Sequence, residues 1–144
     1  MNAVTIFTKS EEKNIIQAIE KAELHTSGEI RLHVEDNCTS NPYERALEVF
    51  YLLKMENTKE RNGVLLYIAI KDRKLAIIGD QGIHEKLSND FWDNIITKLQ
   101  ENFKNEIFAK GIIEAILEIG NQLSTYFPLN NDDKDELTNE ISFS

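Results

Sequence analysis

The chain predicts an α/β fold, a three-layer αβα sandwich with a small mixed sheet in the order α-β-α-β-β-α-α-α. Three observations carry this. Residues 29–34 alternate apolar and polar, as a strand does. Residues 64–70 are apolar almost throughout, as in a central strand covered on both faces. The remaining periodic segments repeat at helical spacing.

In chain order, Thr8-Lys9-Ser10-Glu11 is a capping-box pattern. Ile15, Ile16, Ile19 and Ala22 follow at helical spacing, so residues 10–24 should form an amphipathic helix. Thr26-Ser27-Gly28 breaks it. In the first strand Ile30, Leu32 and Val34 point to one face, and Glu29, Arg31 and His33 to the other, which predicts one buried face. Asn41-Pro42 starts a second helix, with asparagine as cap and proline at the first helical position. Its core stripe is Ala46, Leu47, Phe50 and Leu53.

After Asn62-Gly63 comes the apolar second strand. Lys71-Asp72-Arg73 is too short for a crossover, so it should be a hairpin turn that makes residues 74–79 antiparallel. Asp80 is placed to cap a short helix over 81–87, and Ser88 a longer one bearing Phe91, Ile95, Leu99 and Phe103, with Trp92 and Ile96 beside them. Ile112, Ile113, Ile116, Ile119 and Leu123 mark a last helix stopped by Pro128. The expectation is one domain over residues 1–128 and an acidic C-terminal tail over 129–144.

Composition sets limits on function. A chain of 144 residues, 41% hydrophobic, suits one domain that folds without disulfide or metal. A net charge of −9 disfavours nucleic acid and anionic membranes as partners. Cys38 is the single cysteine, which makes an internal disulfide impossible and suggests an inert thiol in a reducing compartment. The N-terminal residues lack the basic region of a signal peptide, and no apolar run approaches the ~20 residues of a membrane span. A cytoplasmic monomer is expected.

Connectivity indicates where polar residues meet. If the first two strands are parallel through a right-handed helical crossover, they start on one edge. The third strand, running back, ends there. Ser27, Gly28, Glu29, Arg61, Asn62 and Asp80 should gather at that edge, and Asp36, Lys71, Asp72 and Arg73 at the opposite one. Calcium and magnesium take carboxylate, amide and backbone oxygens. Glu29, Asn62 and Asp80 therefore form the candidate metal site, calcium ahead of magnesium. Competing readings are that Asp80 only caps a helix, that Asn62 only forms a turn, and that Glu29 pairs with Arg61. Asn131-Asp132-Asp133 lacks the glycine and distant glutamate of an EF-hand loop. His25, His33 and His84 are scattered, and surface or capping roles are expected for them.

Four segments in order resemble the TPM-domain family, named after thylakoid-lumen and photosystem II repair members. They are Thr26-Ser27-Gly28-Glu29-Ile30, Arg61-Asn62-Gly63-Val64-Leu65, Ile78-Gly79-Asp80-Gln81-Gly82 and Lys110-Gly111-Ile112-Ile113. Asp135-Glu136-Leu137 is similar to the Asn-Glu-Leu-Pro ending of a bacterial subgroup, without its proline. The resemblance implies an αβα sandwich and, for some members, acidic metal sites, calcium binding and an acid phosphatase activity. Many members carry a signal sequence and a membrane anchor, and neither is expected here. Two alternatives to a calcium-binding domain stand: a metal-dependent acid phosphatase acting on phosphate monoesters, and a non-catalytic module for a protein partner.

Overall fold

The computed structural model describes residues 2–129 and 138–144. Helix α1 (Lys9–Glu23) leads to strand β1 (Glu29–Glu35), and helix α2 (Pro42–Leu52) to strands β2 (Gly63–Ala69) and β3 (Lys74–Gly79). Helices α3 (Gln81–His84), α4 (Asn89–Lys104) and α5 (Phe108–Tyr126) follow, and the chain returns to the sheet as β4 (Ser142–Phe143).

The helix starts follow their caps. Thr8 Oγ1 accepts from the Glu11 N–H at 3.0 Å while Glu11 accepts from the Thr8 N–H at 2.9 Å, a complete capping box. Asn41 Oδ1 accepts from the N–H groups of Tyr43 and Glu44 ahead of Pro42. Ser88 precedes α4 but makes no side-chain cap bond, contrary to expectation.

The sheet order is β3-β2-β1-β4. β1 and β2 are parallel, from Glu29 opposite Gly63 to Glu35 opposite Ala69. β2 and β3 are antiparallel, with Val64 opposite Gly79 and Ala69 opposite Lys74. The connectivity read from the sequence thus holds, and with it the two edges. The hairpin closes through Arg73 at φ 53°.

Two apolar cores flank the sheet. On one face Ile30, Leu32, Val34, Val64, Leu66 and Ile68 pack with the buried stripes of α1, α4 and α5. On the other, Leu65, Tyr67, Ala69, Ala76 and Ile78 pack with Ala46, Val49 and Phe50 of α2 and with Met55. α1 and α5 touch so closely that a Cβ on Gly120 would lie 2.6 Å from that of Ala22. Among the described residues no helix is long and apolar enough to cross a membrane.

Two expectations change. The first strand has two buried faces: Glu29, His33 and Glu35 are as hidden as the apolar residues that alternate with them. Arg45 of α2 pairs with Glu35, while Tyr67 of β2 stacks on His33 and the segment 142–144 lies against its ring nitrogens. Second, the order ends in a ninth element, since Ser142 and Phe143 pair in parallel with His33 and Val34 on the outer edge of β1. Asn131, Asp132 and Asp133, and the segment 135–137 that resembles a family ending, lie outside the described residues.

Candidate functional site

The edge where β1 and β2 begin and β3 ends collects Ser27, Glu29, Glu60, Arg61, Asn62 and Asp80. The Glu29 N–H donates to Asn62 O at 3.4 Å, and the Asp80 N–H donates to Gly63 O at 2.9 Å. Glu29, the Asn62-Gly63 peptide and Asp80 therefore sit side by side across three strands. Each of the three side chains is nearly inaccessible, with Glu29 at 2%, Asn62 at 1% and Asp80 at 5% exposure.

The loop before β2 is folded against the start of α3. Arg61 adopts φ 51°, and its carbonyl accepts from the Gly82 N–H at 2.8 Å. A side chain at Gly82 has no room, because its Cβ would lie 2.3 Å from Glu60 O and 2.8 Å from Arg61 O. That close approach turns the Arg61 side chain onto Asp80. Nε donates to Oδ2 at 2.7 Å and Nη2 to Oδ1 at 3.0 Å, a two-pronged carboxylate clamp. Asp80 Oδ1 also accepts the Gln81 N–H at 2.7 Å, which is the expected helix cap. Arg61 thus pairs with Asp80.

Asn62 is held differently. Its N–H donates to Thr58 Oγ1 at 3.1 Å, and Nδ2 donates to Ser27 Oγ at 3.1 Å and Glu60 Oε2 at 3.4 Å. The Ser27 hydroxyl itself donates to Glu60 Oε2. With both donors used, Asn62 Oδ1 is left buried and has no hydrogen-bond partner among the described residues. Glu56 Oε2, a few residues earlier, is likewise buried without a hydrogen-bond partner among the described residues. Such groups cost on the order of 1–3 kcal/mol when left unsatisfied.

The structure therefore brings Glu29, Asn62 and Asp80 to one edge but commits Asp80 to Arg61. Among the described residues no three of histidine, cysteine, aspartate and glutamate gather as a metal-binding group. The oxygens around Asn62 come from Ser27, Glu60 and a main-chain turn. Glu60 and Glu56 were not legible as site residues. Their signal was proximity to Asn62 in the loop, which many surface glutamates share.

The opposite edge is closed on itself. The Ala3 N–H donates to Asp36 Oδ1 at 2.6 Å, the Cys38 N–H donates to Asp72 Oδ2 at 2.6 Å, and Lys74 Nζ donates to the carbonyls of Cys38 and Ser40. Lys71 lies 3.8 Å from Asp36, while Arg73 closes the turn. Cys38 is buried and donates to Ser40 O. Behind this edge a polar cleft of about 350 Å³ opens between Glu35, Cys38, Ser40, Arg45 and Glu48.

Its floor is a charged network that periodicity did not reveal. Arg45 of α2 donates through Nη2 to Glu35 Oε1 at 2.8 Å and through Nε to Glu35 Oε2 at 2.9 Å. The hydroxyl of Tyr67 donates to Glu35 Oε2. Burial alone would raise the Glu35 pKa, but the arginine fork and the phenol offset it and hold the carboxyl at about 2. Burial and the same carboxylate push the Tyr67 hydroxyl upward. His33, expected on an exposed polar face, is 3% exposed and stacks on Tyr67 at 6.0 Å between ring centroids. His25 and His84 are exposed, as expected.

A three-layer sandwich with acidic and amide side chains at the mouth of a parallel strand pair defines a small α/β domain. The TPM-domain family model matches residues 2–122, and the chain belongs to that family. Its structure is similar to the NMR structure of the BA42 protein from the psychrophilic bacterium Bizionia argentinensis, with 46% identity, TM-score 0.89, and coverage of 96% of this chain and 95% of that one. The fold is shared with the N-terminal domain of a protein from P. gingivalis, at 16% identity and TM-score 0.71 over 85% of this chain and 80% of that one. It is also shared with the N-terminal domain of the cg2496 protein from Corynebacterium glutamicum, at 12% identity and TM-score 0.64 over 92% of this chain and 80% of that one. A comparison with curated proteins returns no match.

Proposed function

We propose that this TPM domain binds a divalent cation, calcium in preference to magnesium, at the edge formed by Glu29, Asn62 and Asp80, with Ser27 and Glu60 alongside. The observation that carries the reading is the buried Asn62 Oδ1 without a donor. An amide oxygen in that state is suited to a cation, which would satisfy it without a rearrangement of Nδ2. Calcium accepts six to eight oxygens in loose geometry and takes several from water, whereas magnesium demands a near-octahedral set. A sparse site with few free carboxylates fits the former and an affinity on the order of 10⁻⁴ M.

Arg61 gives this reading a distinctive consequence. Its guanidinium is an internal competitor for Asp80, so the cation must displace it to gain that carboxylate. Arg61→Met removes the competitor and one positive charge. Calcium should then raise the melting temperature at roughly tenfold lower concentration than in the wild type, a change of about 1.4 kcal/mol in binding. A wild-type protein whose melting ignores millimolar calcium rules the proposal out. Asp80→Asn should abolish most of the calcium effect. It should also lower the metal-free melting temperature, because Asp80 is buried against Arg61. Metal-dependent turnover of a chromogenic phosphate monoester, lost in Asp80→Asn, would instead favour the phosphatase reading. Neither effect would leave the interaction module.

A further inference from the structure

We infer that the C-terminal segment 138–144 is a strap on the outer edge of β1 that acid releases, with His33 as its catch. β4 is only two residues long and pairs with β1 alone. Main-chain attachment includes the Ser144 N–H, which donates to Val34 O at 3.0 Å. Both ring nitrogens of His33 bond to this short segment: Nδ1 lies 3.0 Å from Ser142 Oγ and Nε2 lies 2.8 Å from Ser144 Oγ. Little apolar surface adds to this grip. Ile141 is partly buried against the core, and Phe143 is 36% exposed. Beside the main-chain pairing and the Glu140 carboxylate facing Arg31, one imidazole supplies two side-chain hydrogen bonds of the attachment.

The surroundings of His33 decide how it responds to a proton. On β1 it faces Glu35, whose Oε1 is 3.5 Å from Nε2, and Arg31. α2 presents Arg45, β2 presents Tyr67 stacked on the ring, and β4 presents the two hydroxyls. Burial lowers the His33 pKa most, Glu35 raises it, and Arg45 and Arg31 lower it again; the balance is downward. Glu35 is already engaged by the Arg45 fork and the Tyr67 hydroxyl, so it gives only partial compensation. Protonation does not break the serine bonds, since both hydroxyls accept equally well. The cost is chiefly that of a cation shut away from water, with Arg45 and Arg31 adding to it. Lifting the strap gives that cation water.

The direction follows from linkage. A histidine whose pKa is depressed in the docked state binds its proton more readily when undocked. Docking is thus unaffected above the ordinary histidine pKa of about 6.5 and weakens as pH falls below it, by up to about tenfold per unit. The loss stops once the docked form is itself protonated.

The test is NMR of the full chain from about pH 8 to about pH 5, the range in which histidine titrates. It follows the His33 ring signals together with the Phe143 and Ser144 amides. The expected result is that the 142–144 amides move toward unfolded-chain positions in step with His33, while β2 amides hold. The protection of the Ser144 amide, its exchange rate taken relative to the unfolded-chain rate at each pH, should fall over the same range. By reciprocity, Ser142→Ala with Ser144→Ala should move the His33 midpoint up toward its ordinary value. His33→Gln should remove the pH response of the segment; if that variant does not fold, the wild-type and serine measurements decide alone. C-terminal amides that stay docked through the His33 titration would overturn the inference. So would a His33 midpoint unchanged by the double serine substitution.

Discussion

Glu35→Ala should lower stability by about 3–5 kcal/mol, the range for removing one partner of a buried ion pair. The residue is 5% exposed and serves Arg45, Tyr67 and His33 at once. Its loss leaves the Arg45 guanidinium of α2 with only the exposed Glu48 as counter-charge and a buried phenol without its carboxylate acceptor. Glu35→Gln keeps the shape and one acceptor and should cost roughly half as much, about 2 kcal/mol. Denaturant unfolding measures both. The same network fixes an acid limb. The Glu35 carboxyl, ordinarily near 4.5, is held at about 2, so the folded state binds its proton less readily than the unfolded chain. The stabilisation is complete above about pH 4.5 and is lost as pH falls from there through about 2. In Glu35→Gln the unfolding free energy should depend less on pH in that window. Equal slopes for the wild type and the variant would mean that the carboxyl is not so held.

Gly82→Ala should cost about 3 kcal/mol, at the upper end of overpacking effects. The new Cβ would meet the Glu60 carbonyl at 2.3 Å and the Arg61 carbonyl at 2.8 Å. Both are main chain and cannot rotate away, so the loop must move. The backbone φ at Gly82 is not positive, so the conflict is one of space rather than of conformation. Moving the loop shifts Arg61 and Asn62 together, and calcium affinity should fall with stability. Loss of stability with calcium response intact would separate the loop from the cation edge.

These two effects also show what could be read from the chain alone. Strand pairing, helix caps and both polar edges followed from alternation, from Thr8, Asn41 and Asp80, and from a connection too short to cross over. Glu35 did not follow. Polar residues alternating with apolar ones in a strand ordinarily mark a solvated face, and only their placement in space shows that Arg45 meets Glu35 and that residues 142–144 cover His33. Tyr67 stood inside an apolar run, where its hydroxyl carries no sequence signal. β4 was hidden because two residues give no period. At the candidate edge, the sequence placed Glu29, Asn62 and Asp80 correctly together. The choice of Asp80 by Arg61 depends on a left-handed turn at Arg61 that its residue type does not announce.

The most direct measurement of the cation proposal is a calcium titration followed amide by amide by NMR, with magnesium in parallel. The proposal predicts that Ser27, Glu29, Glu60, Asn62 and Asp80 shift together along one saturating curve, at lower concentration for calcium than for magnesium. It also predicts that the Asn62 side-chain amide moves with them. Shifts confined to residues near Asp36 and Asp72, shifts confined to residues 130–140, or no shifts at millimolar calcium would contradict it.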